Sequence, residues 1–159
     1  MFKIRRIDHI GIAVKDLKKS VETMTNLLGA ELICIKDLKM SGNNASAAYM
    51  RLGESIIVLD EASQPGGFLE KFIQQRGEGL HHVGVEVDNL DDFIKSLQSK
   101  GVRIPAKSLE GDFRTEVLLS PKDALGVVWQ VIQWQDGSEK SVEDRVDRIK
   151  QFDGVVENS

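Results

Sequence analysis

Ile7-Asp8-His9-Ile10-Gly11-Ile12-Ala13-Val14-Lys15-Asp16-Leu17 returns later in the chain as Leu80-His81-His82-Val83-Gly84-Val85-Glu86-Val87-Asp88-Asn89-Leu90. His9 matches His82, Gly11 matches Gly84, Val14 matches Val87 and Leu17 matches Leu90, all at one offset. Each copy alternates like a half-buried strand, then meets an Asp/Asn-Leu turn and a helical pattern. A repeat of this kind predicts two similar half-domains, each with one histidine at the same place. If the halves pair about a pseudo-twofold axis, the two imidazoles face each other across one cleft.

The pattern extends outward from both copies. In the first half, a strand over Arg6 to Val14 leads through Asp16 to a helix over Leu17 to Leu28, stopped by Gly29. Strands follow over Glu31 to Lys36, Ala45 to Leu52 and Ser55 to Asp60, the last two joined at Gly53-Glu54. Phe68 to Gln75 reads as a short helix after the break at Pro65-Gly66-Gly67. The second half repeats the order. A strand over Leu80 to Val87 and an amphipathic helix over Leu90 to Lys100 precede strands over Val102 to Pro105, Arg114 to Ser120 and Gly126 to Trp134. Ser141 to Phe152 has apolar residues at Val142, Val146, Ile149 and Phe152 and reads as a helix with no counterpart in the first half. Its stripe is expected to pack on the domain or on a second subunit, and the residues from Gly154 onward are expected to be mobile. The expected organisation is a first module over 1–64, a linker with a short helix over 65–79, a second module over 80–135 and a helical tail over 136–159.

Composition narrows the function. The chain has 159 residues, 41% of them hydrophobic, with a net charge of −4. An acidic chain without a basic stripe is not expected to bind nucleic acid. No apolar run approaches the roughly 18 residues of a membrane span. The first residues read as no signal peptide, and the single Cys34 allows no disulfide framework, so a reducing cytoplasm is expected.

Side chains alternate across a strand, so His9, Gly11 and Ala13 should share one face, as should His82, Gly84 and Glu86. The glycine after each histidine opens space there. His81 should point the other way. Two histidines at matched positions suggest a shared site, and neutral imidazole is a common metal ligand.

With these residues the chain resembles the vicinal oxygen chelate superfamily, which includes glyoxalase I, extradiol dioxygenases and methylmalonyl-CoA epimerases. It most resembles the epimerases. The likeness is carried by Ile7 to Val14, by Arg76-Gly77-Glu78-Gly79-Leu80-His81-His82-Val83 and by Ser120-Pro121-Lys122 followed by Gly126-Val127-Val128. The resemblance implies an α+β fold in which two βαβββ modules form an incomplete barrel around a cleft, with the C-terminal helix added. It also implies a divalent metal held by two histidines, a Gln or Glu, and a Glu. The histidines fall on His9 and His82. The third position falls on Val58, which has no donor atom, and the fourth on Gln130, a neutral amide. The implied ligand set is therefore His9, His82 and Gln130, suited to Zn2+, Co2+ or Ni2+ rather than Mg2+, or too weak to hold an ion. The base positions fall on Ser46 and Gln130, neither a carboxylate. Glu116 is the first candidate to replace them, with Asp60 and Glu86 behind it. Arg114 and Lys122 are placed near the cleft rim.

The expected activity is that of a metal-dependent isomerase like methylmalonyl-CoA epimerase. It would act on a small acyl-CoA or carboxylate substrate through a stabilised enolate, as a homodimer. The alternatives are a small-molecule binding protein on the same scaffold with a degenerate metal site, and a glyoxalase-type lyase or dioxygenase.

Overall fold

The computed structural model of the chain describes residues 1–40, 42–104, 107–110, 114–135 and 141–158. The first half runs β1 (Ile4–Ala13), α1 (Leu17–Leu28), β2 (Glu31–Leu38), β3 (Ala45–Leu52), β4 (Ser55–Ala62). After α2 (Phe68–Arg76), the second half runs β5 (Gly79–Val87), α3 (Leu90–Ser99), β6 (Ser108–Glu110), β7 (Arg114–Leu119), β8 (Val128–Trp134). Then come α4 (Val142–Gln151) and β9 (Val156–Asn158). The repeated order and the α+β class are as the sequence implies. One strand moves: 102–104 is irregular, and β6 lies further along at Ser108. The end of the expected strand, Pro105, is outside the described residues.

The local signals explain the matched helices. Asp16 caps α1 by accepting from the Lys19 amide, and Asn89 caps α3 from the Asp92 amide. Gly29 ends α1 in the left-handed conformation. Each helix then buries one stripe. Leu17 packs with Met50, Ile57 and Leu59 in the first half, and Leu90 and Phe93 pack with Val87, Val117 and Val131 in the second.

All strands join one nine-stranded sheet in the order β2-β3-β4-β1-β5-β8-β7-β6-β9. The halves meet where β1 and β5 run antiparallel at its centre. The sheet is an unclosed barrel whose ends are stitched by the tail. A bridge joins Lys39 after β2 to Val155 before β9, while β9 pairs with β6. The segment from Gly154, expected to be mobile, is therefore a strand. It adds to an edge whose amides would otherwise lack partners. Among the described residues no helix is long and apolar enough to cross a membrane.

The stitch depends on Gly154. Its φ is 87°, and a Cβ there would lie 2.4 Å from the Asp37 carbonyl oxygen. Gly154→Ala is expected to destabilise the fold by about 1–3 kcal/mol, the usual strain of a non-glycine residue in that region. Urea unfolding measures it. A midpoint equal to wild type would show that the tail contributes no stability through this crossing.

Candidate functional site

The two halves present their histidines to each other by an exchange of space. His9 pairs across the sheet with Gly84, and Gly11 with His82. A Cβ on Gly11 would lie 1.9 Å from His82 Cε1, and one on Gly84 would lie 2.3 Å from His9 Cε1. Each glycine thus vacates the volume filled by the other half's ring. The result is a separation of 3.2 Å between His9 Nε2 and His82 Nε2.

Strict alternation fails next to each histidine. Ile7 pairs with Val85 and His9 with Gly84, which leaves Asp8 as an extra residue. Gly11 pairs with His82 and Ile12 with Leu80, which leaves His81 as an extra residue. Asp8 and His81 are matched positions of the repeat, and both sit in β-bulges, which re-aim side chains. Each then reaches the Nδ1 of the histidine that follows it. Asp8 Oδ2 is 2.9 Å from His9 Nδ1, and His81 Nδ1 is 3.1 Å from His82 Nδ1. The expectation that His81 points away is overturned by its bulge: His81 lines the cavity and stacks on Phe68.

Burial alone would raise the Asp8 pKa. The hydrogen bond and charge of His9, with Arg114 and Arg145, instead hold it at about 2. Asp8 is therefore an ionised acceptor, and the proton between it and His9 rests on Nδ1. The His9 Nε2 edge then faces the cavity. Burial lowers His81 to about 4. Burial, with the charges of His9, His81 and Arg114, puts His82 well below the usual imidazole range. Both rings are neutral near pH 7.

Gln130 lies beside the pair. Its Nε2 donates to Glu116 Oε2, which turns its Oε1 toward His9 Nε2 at 2.8 Å. An Nε2–H on His9 would donate to that oxygen, and a bare Nε2 could share a cation with it. Two imidazole nitrogens, each roughly 2.0–2.1 Å from one tetrahedral ion, stand about 3.3 Å apart. The 3.2 Å between the imidazoles fits that spacing, whereas the 2.8 Å between His9 Nε2 and Gln130 Oε1 is a hydrogen-bond distance that would have to open by about 0.5 Å around an ion. Among the described residues no group of three His, Cys, Asp or Glu side chains is placed to hold a metal ion, and the further donor beside the two histidines is the neutral Gln130 amide. The donor set fits a borderline cation such as Zn2+ or Co2+ better than Mg2+.

The other candidates divide. Val58 is buried in one apolar cluster with Tyr49, Val142 and Ile149 and offers no ligand. Ser46 is not brought to the cavity: its hydroxyl donates to Asp37 Oδ1 at 2.9 Å, because the odd positions of β3, Ala45 and Tyr49, face inward. Asp60 does line the cavity, with Oδ2 3.9 Å from His82 Nδ1, behind that ring. Glu86 is buried beneath the sheet beside Arg6 Nε at 2.7 Å and does not reach the cavity. Arg114, expected at the rim, is buried 3.5 Å from Asp8 Oδ2, because its β7 position faces inward. Lys122 is exposed and does not line the cavity.

The cavity that these groups share has a volume of about 1040 Å³. α2 forms one wall through Phe68, Leu69 and Phe72, and Lys71, Arg76 and Arg103 bring positive charge to its lining. Phe152 and Val156 from the tail form part of another wall. The tail contribution was invisible to repeat matching, since the tail occurs once.

Comparison with known proteins gives the family. A family model described as the glyoxalase/bleomycin resistance protein/dioxygenase superfamily matches residues 8–116. The chain is 28% identical over 139 residues to the mitochondrial methylmalonyl-CoA epimerase of Homo sapiens, covering 84% of this chain and 76% of that one. It is 30% identical to an ethylmalonyl-CoA/methylmalonyl-CoA epimerase of Cereibacter sphaeroides, covering 82% of this chain and 98% of the other. The structure of a Streptomyces coelicolor methylmalonyl-CoA epimerase variant in complex with 2-nitronate-propionyl-CoA superposes with a TM-score of 0.74 at 25% identity. It covers 87% of this chain and 100% of that one.

Proposed function

Because the chain belongs to the glyoxalase/bleomycin resistance protein/dioxygenase superfamily, we propose that it is a divalent-metal-dependent acyl-CoA isomerase that exchanges a proton next to a thioester carbonyl. The observation that carries this reading is the convergence of His9 Nε2, His82 Nε2 and Gln130 Oε1 at 3.2 and 2.8 Å inside a cavity that also holds Glu116. His9, His82 and Gln130 would hold the ion. When bound, a divalent ion polarises the carbonyl and stabilises the negative charge that develops on its oxygen.

The rest falls to the chain. Glu116 is buried, lines the cavity and accepts from the Gln130 amide. It would take the proton from one face of the substrate α-carbon, and a second cavity acid, for which Asp60 beside His82 is the candidate, would deliver a proton to the opposite face. Asp8 fixes the His9 ring from behind, as a carboxylate behind a ligating imidazole does. At His82 the partner of Nδ1 is instead His81, at 3.1 Å. The apolar wall from α2 excludes water, and the basic groups in the lining suit an anionic substrate such as an acyl-CoA.

A second reading is favoured by Val58, which supplies no fourth ligand. On that reading the chain binds a small molecule on the same scaffold without chemistry. One experiment separates them. The protein is stripped with a chelator, reloaded with Co2+ or Zn2+, and incubated with methylmalonyl-CoA in D2O. About one ion per chain with deuterium at the α-carbon is expected. Tight acyl-CoA binding with neither ion nor exchange would replace the enzyme reading with the binding protein. Loss of all three would overturn both.

A further inference from the structure

α4 carries an arginine where its own pattern calls for an apolar residue. Ser141 and Asp144 cap its start with reciprocal hydrogen bonds. Its buried side is Val142, Arg145 and Ile149, packed under β3 and β4. Arg145 is 3% exposed. Arginine is almost never so buried unless it is paired.

Its guanidinium has specific partners. Nη1 donates to the Asp8 backbone oxygen at 2.9 Å and stands 3.8 Å from Asp8 Oδ1. Nη2 donates to the Glu54 backbone oxygen at 3.1 Å, in the β3–β4 turn. The planar fork of arginine presents donors to both acceptors at once in a fixed geometry. Trp134 Nε1 donates to the same Asp8 Oδ1 at 3.1 Å. Asp8 Oδ1 thus meets the tail and β8, while Oδ2 meets His9 Nδ1 and, at 3.5 Å, Arg114.

We propose that Arg145 is a positioning residue for His9, acting through Asp8, so that the C-terminal helix is a working part of the site. The contact runs from α4 to the bulge at Asp8 and from there to His9 Nδ1. It keeps the Asp8 carboxylate against His9 Nδ1 and the Nε2 edge of the ring toward the cavity. The site is then assembled from three segments, the two repeated strands and a tail that has no repeat partner. This rests on the proposed role of His9 and not on the identity of the substrate.

Long-range proton–nitrogen NMR of the histidine rings, on the metal-stripped full chain, tests it. Wild type should show His9 with its proton on Nδ1. Arg145→Met keeps the apolar stem and removes the donors. If it is folded by circular dichroism, it should show a mixture of the two His9 tautomers, and its Co2+ affinity should fall by about 10–100-fold, as for other partners behind a ligating histidine. Arg145→Lys, which restores the charge and one donor, should recover most of the His9 signal. A folded Arg145→Met with the wild-type His9 tautomer overturns the proposal. If Arg145→Met does not fold, Asp8→Asn decides. Arg145 and Trp134 would claim the amide oxygen and turn its NH2 toward His9, which moves the His9 proton to Nε2. An unchanged His9 signal in that variant also overturns the proposal. A wild type without acyl-CoA turnover would sink the proposed function yet leave this readout intact.

Discussion

Glu116→Gln is expected to slow α-proton exchange by about 10²–10⁴-fold, the usual contribution of a positioned general base. The substitution is nearly isosteric and leaves an oxygen to accept from Gln130, so the His9–Gln130 contact should survive. Ion stoichiometry should therefore stay at the wild-type level while exchange falls. That separation is the informative part. A variant that lost both would have lost its ligand geometry and would say nothing special about the base. Glu116 is proposed as the reacting group for a geometric reason. It lies on β7, opposite Ile132 of β8, two residues from the Leu118–Gln130 pair. Its carboxylate therefore sits next to the amide that faces His9. Mass spectrometry of the α-carbon in D2O measures the rate. Exchange within about threefold of wild type would exclude Glu116 as the proton acceptor and move attention to Asp60.

The same residues show how far the sequence could be read. The facing of His9 and His82 followed from the repeat, because two copies of one strand that meet antiparallel are related by a twofold: Ile10 pairs with Val83 on that axis, and the two histidines flank it, each opposite the other half's glycine. Glu116 was nameable as a carboxylate near the site but not placeable, since a strand read alone does not show which face turns inward. His81 was misplaced for a physical reason. A bulge adds one residue and reverses the alternation, and nothing in the composition around His81 announces it. Asp8 hid in the same way. Arg145 could not be found from pattern at all: an arginine between Val142 and Ile149 reads as surface charge until its partners at Asp8 and Glu54 are known. Ser46 failed because a resemblance fixes a position in an alignment, whereas the inward parity of β3 falls on Ala45 and Tyr49.

Gly84→Ala and Gly11→Ala should each dismantle the ion site without touching a ligand. The added methyl would stand 2.3 Å from His9 Cε1 in one case and 1.9 Å from His82 Cε1 in the other. Neither distance is tolerable for carbon, so a ring or a strand must move. Here the two halves stop being equivalent. His9 is clamped between Asp8 at 2.9 Å and Gln130 at 2.8 Å and has nowhere to go. The His82 side chain is 14% exposed and borders the open cavity, so it can swing away. The shorter contact should therefore be the milder one for stability. Gly84→Ala is expected to destabilise by about 1–3 kcal/mol, the range for overpacked interiors, and Gly11→Ala by less. Co2+ affinity should fall by at least about 100-fold in both, the upper end of what a misplaced ligand environment costs. Urea unfolding and Co2+ titration on the same preparations give both numbers. Wild-type Co2+ affinity in either variant would mean that the facing rings are not a ligand pair. An inverted stability order would mean that His9, not His82, is the ring free to move, and the clamp described at Asp8 would have to be abandoned.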